Sequence, residues 1–379
     1  MLTPAQRASF ERDGWLHVKG AIDAECIAAV RRELADAVDD AAEQLRQRGM
    51  VEELHEELDF AHRLAALYEQ ATPIRQMVAR SVQFPRPWSS SDGAVGRPTA
   101  GKAFFELLTH PPLLELVASL LDSTEIVANG NQRLRPKLPA KEDIFVIPWH
   151  QDQCFLHPDS DPTEELPPVI TAWVPFVDAG PDSGCLEMLR LPEQDQRLLH
   201  HYIANISHPT NREVESSAQS TSIHPDHLPH GCTPVAVPAA AGDVILLSSL
   251  TPHRSTANTS GAVRWAADIR FQVPEAGNCF PQEASFLAAS EQRPDDVVTD
   301  WREYVTRRHQ HVVEKIRPGS SIERGTERNW RPARGEVFKD AAVRHPLEGE
   351  MEYVGRLRVI ADEEYGAEKV DSRERFARL

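Results

Sequence analysis

Between Glu125 and Pro274 the chain is cut into short β-type segments: EIVANGNQRLRP, DIFVIPWH, VITAWVPFVDA, TPVAVPA, GDVILLSS and VRWAADIRFQV, each bounded by Gly, Pro, Asp or Asn. Short strands separated by turn residues, with no helical pattern between them, predict an antiparallel sandwich or jelly roll and not βαβ units. No self-similar period of about 20 to 50 residues runs through the chain, which excludes a solenoid.

The flanks read differently. Residues from Thr3 to about Leu121 are expected to be mostly helical, with Thr3 and Pro4 as a cap and first-turn pair. WLHVKG interrupts them as a short strand, and 23–58 carries apolar residues three and four apart, as an amphipathic helix does. FPRPWSSSDGAVGRP is an irregular loop, and KAFFELLTHPPLLELVASLL a helix stopped and restarted at Pro111 and Pro112. Beyond the β-rich stretch, PDDVVTDWREYVTRRHQHVVEKI and ADEEYGAEKV are expected to be helical. The resulting expectation is one domain over 1–379: a mainly helical part to 124, a β core over 125–274, and a helical annex over 275–379 that covers the site or makes a homodimer contact.

Composition narrows the partners. A hydrophobic fraction of 41% and a charged fraction of 26% suit a chain that buries a sizeable core. A formal charge of −17 repels phosphate backbones and anionic lipid surfaces, so neither nucleic acid nor membrane is expected as a partner. Cys26, Cys154, Cys185, Cys232 and Cys279 are scattered and odd in number, which argues against a disulfide framework and a zinc knuckle. With no export-type leader and no uncharged bilayer-length run, the expectation is a soluble, cytoplasmic protein.

The chemistry gathers at Trp149-His150-Gln151-Asp152. In a β-like stretch, positions i and i+2 leave the same face, so His150 and Asp152 share one pocket. A third ligand must come from another strand, and His253 follows the buried-strand run VILLSS. Two neutral imidazoles and a carboxylate leave the remaining metal positions open, as iron(II) oxygenases require, whereas a closed zinc site needs a fourth protein ligand. An HxD pair alone is weak evidence in a chain of 16 histidines. Eleven positions after His253, however, comes Arg264, whose guanidinium fork suits a dicarboxylate.

Taken in order, WHQD, VITAWVPFVDAGPDSGCLEML, GDVILLSSLTPHRSTANTS and the arginine beyond it resemble the phytanoyl-CoA dioxygenase family of iron(II)/2-oxoglutarate oxygenases over about Lys102 to Pro274. The resemblance implies a double-stranded β-helix core of the jelly-roll, cupin-like kind with flanking helices. It implies His150, Asp152 and His253 as iron ligands and Arg264 as the partner of the far carboxylate of 2-oxoglutarate. It also implies Ser255, Trp173, Lys102 and Gln151 as lining the co-substrate pocket, with Gln151 turned away from the metal by strand alternation. Fe(II), 2-oxoglutarate and O2 would be consumed or held there, with succinate and carbon dioxide released. Asp152, where related halogenases have a small residue, directs the outcome toward hydroxylation, desaturation or epoxidation.

Two departures bear on the substrate. Where family members have a PGSH-like turn after GCL, this chain has EMLRLPEQDQRLLHH. The stretch 211–230, with His224, His227 and His230, reads as an added, solvated substrate-side loop because Pro225 and Pro229 break any helix. A small organic molecule of specialised metabolism is the expected substrate. An acyl-CoA or lipid hydroxylase, a non-catalytic jelly-roll binding protein and a zinc-type hydrolase are the competing readings.

Overall fold

The computed structural model describes residues 2–83, 101–139, 146–156, 167–191, 198–199, 201–206, 218–223, 228–229, 231–276, 285–316, 342–344 and 351–353. The helices are α1 (Pro4–Asp13), α2 (Ala24–Gln47), α3 (Arg63–Gln70), α4 (Ile74–Gln83), α5 (Lys102–Leu108), α6 (Pro111–Leu121), α7 (Gln153–Leu156) and α8 (Trp301–Ile316). The strands are β1 (Trp15–Val18), β2 (Ile126–Ala128), β3 (Arg133–Leu134), β4 (Val169–Pro175), β5 (Leu186–Met188), β6 (His201–Ile206), β7 (Ala218–Ile223), β8 (Val235–Val237), β9 (Val244–Ser248), β10 (His253–Ser255), β11 (Ala266–Gln272), β12 (Phe286–Ala289), β13 (Ala342–Arg344) and β14 (Met351–Tyr353).

The fold is the expected jelly roll with flanking helices. A seven-stranded antiparallel sheet runs β1-β9-β4-β11-β2-β12, with β3 also on β11, and a smaller sheet runs β10-β5-β8. The near-continuous apolar runs of β4 and β9 follow from burial on both faces. Ile170, Ala172, Val174, Val244, Leu246, Ala267, Ile269 and Phe271 belong to the core shared with the helices. Their alternates Trp173, Ile245, Leu247 and Ala266 pack with Leu186, Met188 and Val237 of the smaller sheet. Thr171, Asp268 and Arg270 share the parity of this second set, so polar groups enter the space between the sheets by strand alternation alone.

The N-terminal helices form where their caps and stripes direct. Thr3 and Gln6 make a reciprocal capping box on α1. Gly14, at φ 78°, turns the chain into β1, and a Cβ there would meet Thr251 Oγ1 at 2.7 Å. Asp23 caps α2, whose Ile27, Val30, Leu34, Val38 and Leu45 are buried. This helix ends at Gln47, short of the expected boundary near 58. The stretch 102–121 is long and apolar enough to cross a membrane by composition, and half of it is buried in the protein. Pro111 breaks it into α5 and α6, which pack into the helical core.

Two expectations change, and others fall outside the described residues. Residues 218–223, read as loop, form β7 and pair with β6, with Ile223 buried against Trp149 and Leu199. Cross-strand pairing decides that segment, and its polar AQSTSI composition hides it. His224, His227, His230, the 84–98 loop and the ADEEYGAEKV tail lie outside the described residues. Lastly, His150 and Asp152 do not share a continuous strand. His150 makes an isolated antiparallel bridge to His253, and Asp152 stands at the entry to α7.

Candidate metal centre

Backbone pairing brings the two histidines together. His150 N–H donates to the His253 carbonyl at 3.0 Å and His253 N–H to the His150 carbonyl at 2.9 Å, which sets the rings 4.1 Å apart between centroids. Each Nδ1 faces a carbonyl, Pro148 for His150 at 2.8 Å and Thr251 for His253 at 2.9 Å. Because a carbonyl can only accept, Nδ1 carries the proton and Nε2 keeps its lone pair for a metal. Asp152 Oδ1 lies 3.8 Å from His150 Nε2. One donor atom from each of His150, Asp152 and His253 falls within 4.8 Å of the others, and all three residues are buried.

The electrostatics keep these ligands in their metal-binding forms. Burial and the neighbouring His253 push His150 down to about 3, so its imidazole is neutral. Burial alone would raise the Asp152 carboxyl, but the charge and hydrogen bonds of Arg270 hold it well below the usual range. Cys154, buried beside Asp152, is pushed far above the usual thiol range and stays an inert thiol.

Arg264 sits just before β11, locked by two backbone hydrogen bonds of 2.9 Å to Lys137. It is buried, its guanidinium lies 5.3 Å above the Trp173 ring, and burial lowers its pKa to about 10. Its Nε and Nη1 have no hydrogen-bond partner among the described residues. Buried donors without acceptors are costly, and an anion arriving from outside could satisfy this pair. A carboxylate satisfies both through one fork.

Ser255 Oγ accepts from Lys137 Nζ at 2.8 Å and from Ile147 N–H at 3.0 Å. Gly184, at φ 82°, lets this lysine pass: a Cβ there would meet Lys137 Cδ at 2.7 Å and the Thr256 carbonyl at 2.8 Å. Lys102 is placed elsewhere. It is about half-exposed on α5 and faces Glu106, four residues on, at 3.4 Å, so the structure gives it a surface ion pair and does not bring it to the triad. Gln151 is buried, its amide donating to the Leu250 carbonyl at 2.6 Å and accepting from Leu199 N–H at 2.7 Å. It staples this segment to its neighbours.

Three residues escaped sequence reasoning: Arg270, Thr171 and Lys137. Arg270 forks onto Asp152, and Thr171 Oγ1 donates to the same carboxylate at 2.6 Å. The signal was present as parity, since Thr171 lies two before Trp173 and Arg270 six after Arg264.

The family model described as Phytanoyl-CoA dioxygenase (PhyH) matches residues 10–266. Phytanoyl-CoA dioxygenase domain-containing protein 1 of Danio rerio is 24% identical over 315 residues, covering 78% of this chain and 97% of its own length. Among solved structures, the non-heme monooxygenase ThoJ in its apo form is 16% identical over 82% of this chain and 98% of its own, with a TM-score of 0.47. EvdO2 from Micromonospora carbonacea var. aurantiaca, complexed with 2-oxoglutarate, is 17% identical over 79% and 98%, with a TM-score of 0.42.

Proposed function

Because the chain belongs to the phytanoyl-CoA dioxygenase family, we propose that it is an Fe(II)/2-oxoglutarate-dependent oxygenase that hydroxylates a small organic substrate of specialised metabolism. The observation that carries the co-substrate is Arg264, a buried guanidinium over Trp173 with two unpartnered donors. The residues present fit the metal as well: two imidazoles whose Nδ1 faces a carbonyl, which makes Nε2 the ligating nitrogen, and an ionised carboxylate.

His150, Asp152 and His253 would hold the iron, and Arg264 the far carboxylate of 2-oxoglutarate. When bound, the iron supplies the redox chemistry that couples O2 and 2-oxoglutarate to oxidation of a C–H bond, with release of succinate and carbon dioxide. The chain's own work is orientation and exclusion of water. Trp173 stacks the Arg264 guanidinium in place, and the bridge between His150 and His253 fixes both rings before any ligand enters. The arginine is already buried, so a carboxylate would meet it in a low-dielectric setting.

Trp149, Leu189, Leu191, Leu199, Ile223 and Leu228 form an apolar cluster beside the ligand segment. Two of these leucines come from the EMLRL stretch that departs from the family pattern, so that stretch packs into the interior beside Trp149.

Anaerobic addition of Fe(II) and 2-oxoglutarate to the full chain tests the reading. A weak visible charge-transfer band is expected, together with succinate release when oxygen and a suitable substrate are admitted. Folded protein that gives no band and does not bind 2-oxoglutarate overturns it.

A further inference from the structure

Arg270 and Thr171 are directly opposed on the two central strands β11 and β4, so both side chains leave the same face beside Asp152. Thr171 Oγ1 donates to Asp152 Oδ2 at 2.6 Å, and Arg270 Nε donates to the same oxygen at 3.1 Å. Arg270 Nη2 donates to Oδ1 at 3.0 Å. A carboxylate oxygen offers two lone pairs. Oδ2 therefore has both engaged, while Oδ1 keeps one, and Oδ1 is the oxygen that stands 3.8 Å from His150 Nε2.

The guanidinium is itself held. Its Nη1 donates to the Asn131 carbonyl at 3.1 Å, and the flanking Gly130 carbonyl accepts from Arg308 at 2.5 Å on α8. Tyr304, also on α8, donates to Gln132 at 3.1 Å. The C-terminal helix thus braces the 130–132 segment that braces Arg270.

Resting on the proposed oxygenase reading, we propose that Arg270, assisted by Thr171, is a positioning residue that confines Asp152 to metal ligation through a single oxygen, Oδ1. A site with three protein donors works because its remaining positions stay open for co-substrate and oxygen. A carboxylate free to offer both oxygens would close one of them. The fork matters more than the charge, because only a planar guanidinium engages both oxygens at fixed spacing, whereas an ammonium is a point donor.

The test uses the full chain, with Mn(II) alone and then with 2-oxoglutarate. Mn(II) binding is read from the electron paramagnetic resonance of the free ion, and 2-oxoglutarate binding to Mn(II)-loaded protein by calorimetry. In Arg270→Met and Arg270→Lys, Mn(II) affinity is expected to hold or rise, because a cation competing for Asp152 is gone or loosened. The affinity of the loaded protein for 2-oxoglutarate should fall about tenfold or more, the scale of outer-shell losses at metal sites. Thr171→Val, which removes one donation at nearly constant shape, should show the same split more weakly and keeps the test open if the Arg270 variants do not fold.

Full recovery in Arg270→Lys would overturn the fork in favour of charge alone. Mn(II) and 2-oxoglutarate affinities falling together with thermal stability would reduce Arg270 to a structural ion pair, and unchanged affinities in all variants would remove the role altogether. Wild-type protein that takes up Mn(II) but not 2-oxoglutarate would instead bring down the proposed function, and this inference with it.

Discussion

Arg264→Met separates a co-substrate clamp from a buried structural charge, because the two roles predict opposite signs in one measurement. Among the described residues nothing accepts from the buried Arg264 Nε and Nη1, and replacing such a cation by an apolar chain of similar length relieves ~1 kcal/mol or more. Loss of the contact with the Trp173 ring, worth ~0.5–1 kcal/mol, offsets part of this. The melting temperature of the metal-free variant is therefore expected to hold or rise by about 2 °C. Binding moves the other way. Two hydrogen bonds to a charged partner are worth ~1.5–3 kcal/mol each, and even the low end, ~3 kcal/mol, is about a hundredfold in affinity. The KM for 2-oxoglutarate, followed by succinate formation, should rise about that much, and calorimetry on Mn(II)-loaded protein should give the same factor. A variant that melts several degrees lower and binds 2-oxoglutarate normally would refute the reasoning, since Arg264 would then be paired within the fold.

Three further outcomes follow from the same contacts. Asp152→Ala should weaken Mn(II) binding by ~100-fold or more, beyond the 10–100-fold typical of outer-shell losses, and should lower stability by ~3–5 kcal/mol because Arg270 is left buried without its carboxylate; retained Mn(II) affinity would remove Asp152 from the ligand set. Ser255→Ala takes the acceptor from Lys137 Nζ and Ile147 N–H, so urea denaturation should show a loss of ~1–3 kcal/mol, and no loss would mean that the lysine finds an equivalent partner. Glu33, whose carboxylate caps α5 through the Ala103 and Phe104 amides, is raised by burial from 4.5 to about 7. The folded protein holds this proton where the unfolded chain releases it, so the contribution is complete below pH 4.5 and is lost as pH rises through 7. Glu33→Gln should accordingly melt higher than wild type at pH 8 and match it near pH 4.5, a difference that thermal scans across that range would expose or exclude.

What was legible in the sequence was what depends on local period and on order along the chain. The buried runs of β4, β9 and β11 announced themselves because covering on both faces removes polar alternates; Trp173 lies on β4 and His253 on β10, while Arg264 stands on an isolated bridge just before β11. Register between strands is not a local property. Thr171 meets Arg270 only because β4 and β11 pair in that one alignment, so a threonine inside an apolar strand and an arginine in its neighbour read as ordinary residues. Lys137 escaped for the same reason: it is joined to Arg264 by an isolated bridge outside any strand long enough to show a pattern. Lys102 misled in the converse way. It precedes a strong apolar run, but helix geometry aims it at Glu106 one turn along. Asp152 as a same-face neighbour of His150 was right in outcome although the strand is absent, since the bridge to His253 and the entry to α7 turn both donors inward.

The charge balance of the pocket refines what the whole chain implied. A net charge of −17 governs approach at distances where salt screens it within about 8 Å at physiological ionic strength, and it says little about a buried site. There, Arg270 and Asp152 neutralise one another at 3.0 Å, and Asp268 is taken up by Arg135 at 2.7 Å. Among the described residues, Arg264 keeps two buried donors without acceptors, which a ligand could claim. An acidic protein can therefore hold a dicarboxylate against its own global field, because the deciding interaction is one desolvated fork at short range. A CoA-bearing substrate faces the opposite condition: its phosphates would meet that global field outside the buried site, so adding salt should improve the KM for an acyl-CoA while leaving that for a neutral apolar substrate unchanged.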